Sequence, residues 1–155
     1  MLGPFLWEEP YKAVLEGAGC EKRPWAAASH DGYRAVSGLT HRRHVELLSP
    51  RELRIRDSYR GGEKGASRTA FHFPRGARIR VGVQGHQVSV DTGSVRLAIR
   101  LDRAMATEVH QGSTEPFLGW RSTVYGHWEE IPTLVVRGEA RESSEHESLI
   151  TVVND

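Results

Sequence analysis

Apolar and charged residues alternate at a period of two along much of this chain, and no other feature restricts its fold so tightly. In Glu52-Leu53-Arg54-Ile55-Arg56-Asp57, Leu53 and Ile55 share one side while Arg54 and Arg56 share the other. Ala77-Arg78-Ile79-Arg80-Val81 repeats the pattern, as does Val95-Arg96-Leu97-Ala98-Ile99-Arg100-Leu101. A helix would scatter these apolar side chains around its circumference; a strand gathers them on one face. Half-buried antiparallel strands, with one face on a core and the other in water, read this way. Turn-forming pairs separate the runs at Asp31-Gly32, Gly61-Gly62, Pro74-Arg75-Gly76, Gln84-Gly85, Thr92-Gly93 and Arg137-Gly138. The expectation is an all-β fold, an antiparallel two-sheet β-sandwich of about a dozen short strands. The single helix-like window, Leu101 to Glu108, is too short to stand alone.

A chain of 155 residues suits one domain, taken here as 1–155, and is long enough for a core without disulfide or metal support. The formal net charge of +1 gives no bulk electrostatic reason to expect nucleic acid as a partner. No span approaches membrane length, so no membrane partner is expected. Eighteen of the 21 basic residues are arginine. Arginine's planar fork matches carboxylate and sulfate, although a GC-rich genome produces the same bias. Cys20 is the only cysteine, which rules out an internal disulfide and a cysteine-based zinc site. Met1-Leu2-Gly3-Pro4 lacks the features of a signal peptide, and Phe5-Leu6-Trp7 enters strand-like sequence at once, as if cut from something larger. Leu149-Ile150-Thr151-Val152-Val153 carries no charge and should be paired within a sheet. Arg137 to Glu147 is highly charged and reads as an exposed edge or connection, and Gly61 to Ser67 as a flexible loop.

Polar chemistry concentrates between Ser29 and His44. Asp31-Gly32 between two strand-like runs predicts a tight hairpin turn, flanked by His30 and Tyr33. Those two either satisfy backbone groups at the turn or form a polar patch. In His41-Arg42-Arg43-His44, strand parity puts His41 and Arg43 on one side, with Val45 and Leu47, and Arg42 and His44 on the other. An inward arginine needs a partner, and Asp57, which shares the parity of Leu53 and Ile55, is the candidate. This leaves His41 and Arg42 freer to meet an anion. The aromatics Phe5, Trp7, Tyr11, Trp25, Phe71, Phe73, Trp120, Tyr125 and Trp128 suit a sandwich core better than sugar stacking, with Trp120 and Trp128 the best candidates for exposure. No metalloprotease or hydrolase motif is present.

Four pieces in order, His30-Asp31-Gly32-Tyr33, Gly38-Leu39-Thr40-His41-Arg42-Arg43, Leu53-Arg54-Ile55-Arg56-Asp57 and Phe71-His72-Phe73-Pro74-Arg75-Gly76, resemble the C-terminal β-domain of heparinase II/III-like polysaccharide lyases over residues 5 to 82. The resemblance implies an upstream α/α toroid domain in the same parent chain as one partner and an acidic polysaccharide, such as a glycosaminoglycan or alginate, as the other. It implies a parent that cleaves by β-elimination, with an Asn or Glu and a Tyr on the toroid and a His in a His-Asn motif; the compartment stays open, with a periplasmic or secreted parent one option. The one asparagine here is Asn154, so no His-Asn motif exists in the sequence, and no catalytic residue is assigned. Tyr11, Tyr33, Tyr59 and Tyr125 do not fall on a helical scaffold of the family type. Some members of the family bind a structural zinc through two histidines and an aspartate. His30 falls where the last of these ligands would lie, with the others upstream, so no cofactor is expected in this chain and zinc only in a full-length parent. The expected role is a non-catalytic support that presents His41, Arg42, His30 and Tyr33 to the glycan. A freestanding carbohydrate-binding module and a purely structural or oligomerising sandwich are the alternatives.

Overall fold

The computed structural model describes residues 11–153. Its strands are β1 (Ala13–Gly19), β2 (Trp25–Tyr33), β3 (Leu39–Ser49), β4 (Glu52–Arg60), β5 (Gly65–His72), β6 (Arg78–Val81), β7 (Gln87–Asp91), β8 (Arg96–Leu101), β9 (Ala106–His110), β10 (Ser113–Thr114), β11 (Phe117–Leu118), β12 (Trp120–Val124), β13 (His127–Glu130), β14 (Thr133–Ala140) and β15 (Glu145–Val153), with one short helix, α1 (Arg34–Ser37). Eight strands form a large sheet in the order β1-β2-β3-β4-β15-β8-β7-β6, and three form a second sheet, β5-β14-β9. Strands β10 to β13 add two small hairpins. Every pairing is antiparallel.

The alternation read from the sequence decides which face is buried. Val88, Val90, Ile99 and Leu101 project from the large sheet onto Leu134 and Val136 of β14, and Ala77 and Met105 complete this core. Phe71, Phe73, Ile79, Leu97 and Ile150 close its margin. Each fully buried aliphatic side chain contributes about 1.5–3 kcal/mol, so this seam holds the sheets together. The uncharged stretch of β15, residues 149–153, lies along β8, with β4 on its other side, where such a stretch belongs.

Several expectations need correction. Asp31-Gly32 is not a hairpin turn. Strand β2 runs through it, with a register irregularity between His30 and Tyr33, and the chain reverses four residues later through α1 and Gly38 (φ 72°). Pairing with the start of β1 overrides the local turn preference: Asp31 donates its N–H to the Lys12 carbonyl (3.2 Å), and its Oδ1 accepts the Lys12 N–H (2.7 Å). Gly32 supplies room rather than a left-handed backbone, since a Cβ there would lie 3.2 Å from His30 Nδ1. The 101–108 window is the end of β8, a turn closed by the Met105 N–H on the Asp102 carbonyl (3.1 Å), and the start of β9. Arg137 to Ala140 belongs to β14, the central strand of the smaller sheet, so only the turn at Arg141 to Ser144 is a connection. Trp128 is exposed as expected, whereas Trp120 is half-buried and donates its Nε1–H to the Ser113 carbonyl (2.8 Å). Phe5 and Trp7 lie outside the described residues.

Candidate functional site

The polar residues converge because β2, β3 and β4 are neighbours in matched register. His30 pairs with His41, His41 with Tyr59, and Arg43 with Asp57. All five share the face that carries Val45, Ile55 and the core residues, so they meet on the inner side of the large sheet, beyond the end of the apolar seam. Tyr59 packs with Leu39 and Ala140 in a second small buried cluster directly beneath them.

Asp57 anchors the group and is only 5% exposed. Its Oδ1 accepts from Arg43 Nε (2.7 Å) and from His41 Nε2 (2.7 Å), and its Oδ2 accepts from Arg43 Nη2 (2.8 Å). This is the cross-strand pair expected from parity. Burial alone would push the Asp57 carboxyl up; the His41 and Arg43 hydrogen bonds and the Arg43 charge outweigh it and hold it below the ordinary aspartate range. Hydrogen bonding to Asp57 raises the Arg43 guanidinium further, against its own burial.

The network fixes the histidine tautomers. His41 gives its Nε2–H to the carboxylate and its Nδ1 accepts, because His30 Nδ1 takes the Gly32 backbone N–H and His30 Nε2 therefore carries the proton. The His41 Nδ1 lone pair takes that proton (3.1 Å). The Gly32 N–H lies 3.3 Å from His30 Nδ1. The line Asp57–His41–His30–Gly32 is satisfied at each link, with both nitrogens of both rings engaged. Burial pushes His30 down, helped by His41 and Arg43 and opposed by Asp31, so its ring favours the neutral form. Tyr33 leans on His30 (ring centroids 5.1 Å), and Tyr59 on His41 (5.2 Å). Burial pushes the Tyr59 phenol up.

These groups form one wall of a cavity of about 680 Å³ between the large sheet and β5. Its lining includes His30, Tyr33, His41, Arg43 and, from β5, Ser67 and Arg68. The Arg43 side chain is 40% exposed, so the guanidinium N–H groups not spent on Asp57 face this space. The rim is set by a close approach of two loops. Glu63 donates its N–H to the Ser37 carbonyl (3.1 Å), and Gly62 (φ 69°) sits where a Cβ would lie 2.6 Å from the Gly38 carbonyl carbon and 2.7 Å from Leu39 N.

Of the four residues expected to meet a ligand, the fold brings His30, Tyr33 and His41 together. Arg42 is on the opposite face of the sheet, where its Nε donates to Glu16 Oε2 at 2.6 Å. Tyr59, Ser67 and Arg68 were not anticipated. Tyr59 shares the parity of Asp57 and was legible from it, whereas Ser67 and Arg68 arrive from the second sheet without a local signal. For a structural zinc the residues fit poorly. His30 has no lone pair to spare, and among the described residues no group of three His, Cys, Asp or Glu side chains is arranged to hold a metal ion.

A family model described as heparinase II/III-like, C-terminal matches residues 1–150, well past the stretch in which the motif resemblance was visible. Among solved structures, heparan sulfate lyase HepC from Pedobacter heparinus superposes with a TM-score of 0.76 at 14% identity, over 93% of this chain and 22% of that one. A heparinase III gene product with methylated lysines gives 0.72 at 15% identity, over 93% of this chain and 22% of that one. A further heparinase III gives 0.71 at 13%, over 92% and 21%. This chain thus spans 22% of the length of the HepC chain it matches, and at these identities the likeness is one of fold. No curated protein sequence matches the chain. With the family model covering nearly the whole sequence, this chain belongs to the heparinase II/III-like, C-terminal family.

Proposed function

We propose that this chain is the non-catalytic β-sandwich of a polysaccharide lyase, a single domain that supports an upstream α/α toroid and forms one wall of the cleft for an acidic polysaccharide. The observation that carries this reading is the closed hydrogen-bond line Asp57–His41–His30–Gly32, braced by Arg43. A general base needs a free lone pair within reach of the proton it removes. Here both histidines have theirs occupied, and the only buried carboxylate of the group is neutralised by an arginine. Such a cluster acts as a rigid polar wall. It offers Arg43 N–H groups and the Tyr33 hydroxyl to a carboxylate or sulfate, and leaves the elimination chemistry to the toroid. Zinc has no part in this reading of the chain's own residues.

The test is direct. Incubated alone with heparin, heparan sulfate or alginate, the chain should give no rise in the ultraviolet absorbance of unsaturated uronate. A sustained rise, lost on His30→Gln or Tyr33→Phe, would show a complete active centre and overturn the proposal.

A second reading, a freestanding carbohydrate-binding module, has one observation in its favour. Phe117 and Trp128 are exposed and meet edge to face at 5.6 Å, with Phe117 stacked on the anchored Trp120 ring at 5.9 Å. Glycan binding that disappears in Trp128→Ala and is untouched by Tyr33→Ala would favour it.

A further inference from the structure

The outer face of the large sheet is divided in its treatment of arginine. On β3 and β4 three of these side chains are matched to acids: Arg42 to Glu16, Arg54 to Glu46 and Arg56 to Glu147. On β6 and β8 two of them, Arg80 and Arg100, are not. Among the described residues neither the Arg80 nor the Arg100 side chain has a hydrogen bond or ion pair. Both line a groove of about 510 Å³ on this outer face, remote from the cavity on the inner one.

Register builds the groove. Arg80 lies opposite Ser89, Ser89 opposite Ala98, and Ala98 opposite Thr151. Three short side chains in one row, on three adjacent strands, make a shallow floor. Arg80 closes one end; Arg100, two residues along β8 and paired with Gln87, stands at the side. Glu52, opposite Thr151, closes the other end, so positive charge gathers at the β6–β8 end. Arg80 sits on an edge strand, where a charged side chain serves to block edge-to-edge pairing. That explanation fails for Arg100, because β8 lies between β15 and β7. The exposed Arg100 side chain, which lines the same groove as Ser89 and Ala98 and has no acid partner, needs another explanation. From strand geometry the two Cα atoms are about 12 Å apart, a span suited to successive anionic groups on an extended polymer.

We propose that this groove is a second, accessory docking site for an anionic polysaccharide chain, on the face opposite the cleft wall, with Arg80 and Arg100 as its anion contacts. The choice of glycan rests on the function proposed above; the location rests on the unpaired arginines and the groove. Docking here would hold a long substrate near the enzyme without taking part in the reaction.

Heparin is the probe, measured by titration calorimetry against this chain. Arg80→Ala/Arg100→Ala should weaken heparin binding about tenfold and lower the salt dependence of log Kd by about 2, the loss expected for two counterion-releasing contacts. Arg42→Ala, whose guanidinium is already held by Glu16, should change Kd less than twofold. Sodium sulfate should displace heparin no better than sodium chloride at matched ionic strength. The proposal is overturned by absence of heparin binding in the parent chain, by a double variant within twofold of it, by an equal loss in Arg42→Ala, or by efficient displacement by sulfate, which would mark a site for a single ion. Loss of binding in the cavity variant Tyr33→Ala/Arg68→Ala, with none in the groove variant, overturns the groove and leaves the proposed function standing. The reverse pattern supports the groove, and the lyase assay alone then decides the function.

Discussion

Replacing Asp57 with asparagine probes the arrangement on which the inner site depends. The amide keeps the shape of the carboxylate and removes its charge. If its oxygen takes the Oδ1 position, the Arg43 Nε and His41 Nε2 bonds survive with a neutral acceptor, each weaker by about 1 kcal/mol. The amide NH2 then faces Arg43 Nη2, donor against donor, where a charge-assisted bond of 2.8 Å stood; that costs a further 1.5–3 kcal/mol or roughly so. Solvent recovers part of this, because the Arg43 side chain is 40% exposed. The net expectation is a loss of about 3 kcal/mol at neutral pH, the lower end for breaking a buried pair. For a chain of this size it is a fall of about 6–12 °C in Tm. Urea unfolding followed by fluorescence gives the number. The folded Asp57 pKa lies below its unfolded value, so its stabilisation is full above the unfolded pKa, about 3.9, and is lost as the pH falls through the folded one. The gap between parent and variant should therefore narrow on acidification. Adding Arg43→Met removes the stranded guanidinium and should restore at least about 1 kcal/mol. A loss below about 1 kcal/mol in Asp57→Asn, or a double variant no more stable than the single one, would refute the reasoning.

Three further outcomes follow from the same geometry. His30 is held below the ordinary histidine pKa, so it contributes stability above its unfolded value, about 6.5, that fades as the pH falls through the folded one; His30→Gln should flatten the stability–pH curve below about pH 6.5, measured by urea midpoints across pH. Gly62→Ala forces a Cβ against the Ser37–Leu39 backbone at positive φ and should cost about 2–3 kcal/mol, read by thermal unfolding, whereas Gly76→Ala, with nothing within 4 Å, should cost only the positive-φ penalty of about 1 kcal/mol. Leu134→Ala, at 0% exposure in the seam between the sheets, should cost about 3 kcal/mol in urea unfolding, and Val83→Ala, fully exposed, less than about 0.5 kcal/mol.

Some of the site is legible in the sequence. Strand parity placed Arg43 and Asp57 on one side and Arg42 on the other, because a period of two leaves a strand only two faces. The same rule would have added Tyr59. The Asp31-Gly32 turn was misread because turn propensity is local, whereas the backbone of Asp31 is claimed by Lys12, nineteen positions earlier, across the β1–β2 pair. Trp120 was misjudged for a similar reason: its indole is fixed by a carbonyl on another short strand.

By itself, the sequence determined that this chain would be a layered antiparallel β-protein, which side of each long strand would be wet, and, through four short motifs, its family. Those properties are carried by neighbours along the chain, whose side chains alternate by stereochemistry alone. Tertiary structure decided which strands lie side by side, and so that His30, His41, Asp57 and Arg43 close into one hydrogen-bonded line while Arg80 and Arg100 are left without acids. Both outcomes are set by cross-strand register, fixed only when the inner faces of the two sheets pack together and bury their apolar rows.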